Sequence, residues 1–202
     1  MGSSPASSVT ETPPGGVREA RRLETRARLF DAALGEIGQR GLAAADVSAI
    51  AAAAGVVRGT FYFHFPTKEH VLAELERAEE RRIIGELGDA KGDLATVLSD
   101  VVSRILDAEN RLGAGVFRDM LGLHFSPSRP VEEELAQHPI AQFLAGVIGR
   151  AQDAGQVSSD ADVTELAMFF LTGLFALLAV GSHDPALLSR YVSTSVNGME
   201  KR

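Results

Sequence analysis

Between Val47 and Lys68 the chain reads VSAIAAAAGVVRGTFYFHFPTK. This stretch, two short helices joined by a tight corner, limits the fold more than any other. Asp46 is suited to cap a helix, and Val47, Ile50, Ala51 and Ala54 follow at helical spacing on one apolar face. Gly55 stands where that helix must stop, because glycine accepts the left-handed conformation of a C-terminal cap. Val56 is the apolar corner, and a second helix of about two turns starts at Arg58. Phe61 and Phe65, four apart, face the core together.

Arg58, Thr60, Tyr62, Phe63 and His64 are left to share the outward directions. A cation, a hydroxyl, a phenol, an apolar ring and an imidazole on one short face suit a DNA duplex. Arginine bonds guanine edges, an apolar ring meets thymine methyls, and Thr, Tyr and His bond phosphates. The plainer reading is a small amphipathic helix capping an ordinary helical domain. The tiny alanines before it favour the first reading, since they let the two helices cross closely.

Residues 25–75 resemble the signature of the tetracycline-repressor (TetR) family of bacterial transcriptional regulators. Gly55, Gly59, Thr60, Tyr62, His64, Phe65 and Lys68 stand where the family pattern has them. Two positions depart from it: Val57 replaces the usual capping Ser or Thr, and Phe63 occupies a position more often polar. The resemblance implies an all-α protein, with a three-helix DNA-binding head over residues 17–66 and a connecting helix over 67–87. A larger ligand-binding and dimerisation body follows over 88–202. The expected DNA-contact set is Arg26, Ser48, Arg58, Gly59, Thr60, Tyr62, Phe63, His64 and Lys68.

A formal net charge of −7 runs against DNA binding until its location is considered. From Val17 to Leu75 the charges nearly balance, with Arg18, Arg21, Arg22, Arg26 and Arg28 bunched ahead of the first helix. The acid excess lies in the body. Cysteine is absent, which excludes disulfides and thiolate metal sites. The polar start lacks an apolar signal core, so a cytoplasmic protein is expected.

Residues 1–16 are expected to be a disordered tail, rich in Ser, Pro, Thr and Gly. Helix one is placed over about Glu24–Arg40, with Phe30, Ala33, Leu34 and Ile37 as its buried stripe. Thr67 caps the connecting helix, where Val71, Leu72 and Leu75 turn inward and Glu74–Arg82 form a charged, exposed face. In the body, apolar spacing predicts helices over Leu94–Leu106, Val116–Phe125, Val131–His138, Ile140–Ala154, Asp162–Gly181 and Pro185–Met199. The helix over 162–181 is apolar nearly all round, yet its unbroken apolar part is shorter than the roughly 20 residues that cross a bilayer. A subunit interface explains it better than a membrane. The last two helices, about 162–199, are expected to form a four-helix homodimer contact, as the resemblance also implies.

The resemblance further implies a small-molecule effector in the body, acting on a head that grips a palindromic operator in double-stranded DNA. Phe117, Met120, His124, Phe143, Met168 and Thr172 are the candidate lining. Each aromatic or methionine is equally at home in a plain core. Catalysis is not expected: no nucleophile motif, Walker loop or dinucleotide fingerprint occurs. Neither a cofactor nor a metal site is expected, because the five histidines are scattered and Glu134–His138 has no second such pair. The competing function is a helical small-molecule-binding protein or enzyme that retains the head without operator binding.

Overall fold

The computed structural model describes residues 14–88, 92–130 and 134–199, and every regular element among them is helical. The first helix, α1, spans Pro14–Ala44. It therefore starts inside the stretch expected as a disordered tail, of which residues 1–13 lie outside the described residues. The arginine cluster is thus part of the helix itself. Gly41 breaks the run with φ 76 and ψ 158, a conformation open to glycine but strained for other residues. Just past this break the Leu42 N–H donates to Asp119 Oδ2 at 2.6 Å, tying the end of α1 to the body. The fully buried stripe is Leu29, Ala33 and Ile37, with Phe30 and Leu34 only half-buried. Leu29 was missing from the expected stripe because Phe30 is the larger apolar residue, yet Leu29 is in phase.

Helix α2 spans Val47–Ala53, and its Asp46 cap accepts from the Ser48 N–H at 2.8 Å. Helix α3 spans Arg58–His64. Gly55 at the corner between them has φ 67, the left-handed conformation that the turn requires. Leu29, Ala33, Ile50, Ala54, Phe61, Phe65 and Val71 close a small core of their own within the head.

Helix α4, Lys68–Leu87, leaves that core and enters a larger one. The body adds α5 (Leu94–Leu112), α6 (Ala114–Gly122), α7 (Pro139–Asp153), α8 (Val163–Ala179) and α9 (Pro185–Met199). The helix expected over 131–138 is replaced by a single 3₁₀ turn at Leu135–Gln137, residues 131–133 lying outside the described ones. Pro139 explains the change. Its ring disfavours a helical residue before it, and His138 is extended at φ −70, ψ 142.

Helices α8 and α9 meet at Gly173, where an added Cβ would collide with the Tyr191 hydroxyl. That hydroxyl donates to the Phe170 carbonyl at 2.6 Å, a bond the missing side chain permits. No helix among the described residues is long and apolar enough to cross a membrane.

Candidate nucleic-acid interface

Phe61 and Phe65 anchor α3 from below, both at most 1% exposed, and their rings pack 5.7 Å apart. With Phe61 buried within the helix and Phe65 just after it, the helix leaves Arg58, Gly59, Tyr62 and Phe63 exposed. Phe63 is 72% and Tyr62 45% exposed, large fractions for aromatic rings in a folded chain. Arg58 is exposed as well, while Thr60 and His64 are half-buried. Gly59 has nothing near the place a Cβ would take, so this part of α3 offers bare backbone to an approaching surface.

The exposed groups are pre-positioned. One Arg58 nitrogen donates to Ser48 Oγ at 3.2 Å and another to the Tyr62 hydroxyl, also at 3.2 Å. Ser48, Arg58 and Tyr62 thereby form one polar cluster across α2 and α3. Val57 caps α3 without a side-chain bond, and its carbonyl accepts from the Thr60 N–H at 2.9 Å. His64 is held below the ordinary imidazole range, first by partial burial and then by the charges of Arg26 and Arg22.

Two expected contacts are placed differently. Arg26 makes a bidentate pair with Glu74 of α4, and its guanidinium lies 4.5 Å over the Phe65 ring. It joins α1, α3 and α4 within the head, where a solvent-facing phosphate contact was expected. Lys68 donates from Nζ to the Ala43 and Ala45 carbonyls, at 2.8 and 3.3 Å. It holds the broken end of α1, whose carbonyls lack helical partners. Neither job is visible in sequence spacing, because both partners are distant along the chain.

In the body, Phe117 and Met120 line one small cavity with Phe175, on whose ring His124 stacks, whereas Phe143 and Met168 are half-buried. Thr172 is exposed and faces away from the core, a correction to the expected lining. Phe169 on the same side of α8 is 69% exposed and Val180 78%. A larger correction concerns α4. Its charged face is not all solvent-facing: Glu76 and Glu80 are 4% and 3% exposed. Glu76 accepts from His124 Nε2 at 2.6 Å, and Glu80 accepts from His138 Nδ1 at 2.8 Å. Histidines that looked scattered are gathered by the fold.

Comparison with known proteins agrees with this architecture. Residues 29–75 match the model of bacterial regulatory proteins of the tetR family. The chain is 37% identical over 90 residues to the transcriptional regulator AcrR of Shigella flexneri, covering 42% of this chain and 41% of that protein. It is 28% identical over 202 residues to the transcriptional repressor KstR2 of Rhodococcus jostii, covering 93% and 97%. Among solved structures, the Thermus thermophilus repressor FadR, in complex with lauroyl-CoA, shares the fold. Its TM-score is 0.61 at 22% identity, over 88% of this chain and 96% of that one. The head, residues 29–75, thus carries the pattern of bacterial regulatory proteins of the tetR family, and the likeness to KstR2 runs nearly the full length of the chain.

Proposed function

We propose that this protein is a homodimeric transcriptional regulator that reads a palindromic DNA operator with α3 and releases it when an effector binds the body. The observation that carries the reading is the exposed row of Arg58, Tyr62 and Phe63 on a helix whose opposite face is locked into the head core. An exposed phenylalanine beside an exposed arginine gains nothing in water. In a major groove the ring meets a thymine methyl and the guanidinium a guanine edge. Ser48, Gly59, Thr60 and His64 border the same surface and complete the proposed contact set.

A two-turn helix reads only a few base pairs, so a second copy is part of the proposal. Two heads about 34–36 Å apart read two half-sites with additive free energies. Phe169 and Val180, exposed with Thr172 and Ala176 along one side of α8 and its cap, support pairing through α8 and α9. Effector binding is assigned to the body around Phe117, Met120 and His124, and the fold of FadR with its bound lauroyl-CoA supports the assignment by analogy. The head extends to residue 66, the connecting helix occupies 67–87 and the body starts at 88. A cytoplasmic location and no catalytic step complete the reading.

The test is a mobility shift at fixed salt, using duplex DNA from upstream of the protein's own gene. Wild type should give saturable, sequence-dependent binding. Arg58→Ala should weaken it by about 1–3 kcal/mol, roughly 5- to 150-fold, without altering the dimer. If no duplex is bound in preference to random sequence, the protein is instead a helical small-molecule binder that retains the head.

A further inference from the structure

Glu76 and Glu80 stand one turn apart on α4, and across from them are His124, in the 3₁₀ turn after α6, and His138, just before α7. The side chains of all four are at most 5% exposed. The two imidazole rings lie 5.4 Å apart, and His124 also stacks on Phe175. Such a group is a poor choice for stability alone. Burying charges costs several kcal/mol each, and well-packed apolar residues of similar volume usually do as well or better. Within the cluster, Glu80 Oε2 and His124 Nδ1 are buried without a hydrogen-bond partner. Orphaned buried polar atoms of this kind call for a ligand.

One ligand atom each from Glu76, His124 and His138 lies within 4.8 Å of the others. Around a tetrahedral ion with bonds of about 2.0–2.2 Å, neighbouring ligand atoms are about 3.4 Å apart. Small side-chain rotations close that gap. The space available points the same way. The adjoining cavity, lined by Glu76, Glu80, Phe117, Met120, Ile140 and Phe175, has a volume of about 20 Å³. That admits one water-sized occupant with the helices as they stand, and an organic effector at the same place requires them to part.

We propose that Glu76, His124 and His138 bind a divalent first-row transition ion of the Zn²⁺ type, with Glu80 as the positioning carboxylate of His138. By accepting the Nδ1 proton of His138, Glu80 leaves the lone pair of the neutral ring on Nε2, the arrangement usual behind metal-bound histidines. Imidazole and carboxylate donors suit zinc, cobalt, nickel and iron. Calcium needs more oxygen ligands, and copper(I) prefers sulfur, which this chain cannot supply as thiolate. The ion joins α4 to the end of α6 and the start of α7. Since α4 also carries Glu74, the partner of Arg26 in the head, ion binding is placed to shift the head. That consequence rests on the operator-binding reading; the site itself does not.

Full-length protein freed of metal with EDTA should bind one Zn²⁺ per chain by titration calorimetry. It should give the visible bands of low-coordinate Co²⁺ with cobalt chloride, and zinc should raise its melting temperature. In wild-type protein the ring NMR signals of His124 and His138 should move on zinc addition, a readout that needs no variant. His124→Gln and His138→Gln should each weaken binding at least 100-fold and Glu80→Gln about 10- to 100-fold, while the surface change Glu86→Gln leaves it intact. The proposal is overturned if millimolar zinc and cobalt leave the wild type unchanged, or if the double histidine variant still binds one ion equally well. No DNA enters these measurements, so their failure leaves operator binding standing, and a failed mobility shift leaves the metal site standing.

Discussion

Arg58 is the residue on which the proposed base reading turns, and its position is set by Ser48 and Tyr62. Replacing Tyr62 with Phe removes the hydroxyl that orients the guanidinium but keeps the ring beneath it, 5.8 Å from the arginine carbon. Operator affinity should then fall by about 1 kcal/mol, roughly fivefold, in a fluorescence anisotropy titration, against the larger loss for Arg58→Ala. An unchanged affinity contradicts the positioning role. His64 offers a second test. Its depressed pKa favours the neutral ring in the folded head. Its stabilising contribution is therefore complete above the ordinary imidazole value of 6.5 and is lost as pH falls through the lower folded value. An NMR titration should place its midpoint below 6.5, and Arg22→Ala should raise it; a wild-type midpoint at or above 6.5 refutes the account.

At the scale of elements, the head is joined to α4 by Arg26, through its pair with Glu74 and its contact with Phe65. Arg26→Ala loses a partly exposed ion pair and a cation–π contact, together about 1–2 kcal/mol of stability in a denaturant titration. It should lower operator affinity less than Arg58→Ala does, since its role is to hold the head and not to touch bases. The α8–α9 contact has its own test. Gly173→Ala forces Tyr191 aside and should cost about 1–3 kcal/mol, whereas Tyr191→Phe, losing only the bond to Phe170, should cost about 1 kcal/mol. Sequence periodicity was enough to locate these elements, because glycine stops, Asp46 and the apolar spacing act locally. It missed what depends on distant partners. Lys68 bonds carbonyls some 23–25 residues upstream, and His124 reaches a glutamate 48 residues away. Glu76 and Glu80 read as solvated charges for the same reason: burial of a carboxylate is decided by the helices packed over it, and no local pattern announces that.

For the whole molecule, two layers of coupling connect body to head. Asp119 of α6 holds the Leu42 N–H just after the break in α1, and α4 runs from the body to Glu74. A change in packing among α4, α6 and α7 therefore has two contacts through which the proposed signal would reach the head. The proposed dimer would set how that change is read, since only a pair of heads senses a separation. Phe169→Asp places a charge on the proposed interface and should give monomers by sedimentation velocity, with operator affinity reduced more than 100-fold. The apolar character of α8 was legible in the sequence, but which side stayed exposed was not: Thr172, read as candidate lining, is exposed. The central claim, that paired α3 helices read DNA, is tested most directly by selecting bound duplexes from a random pool. The account predicts a palindromic consensus with half-site centres about 10–10.5 base pairs apart, lost when Arg58 and Tyr62 are both alanine. An unenriched pool, or the same consensus from the double variant, contradicts it.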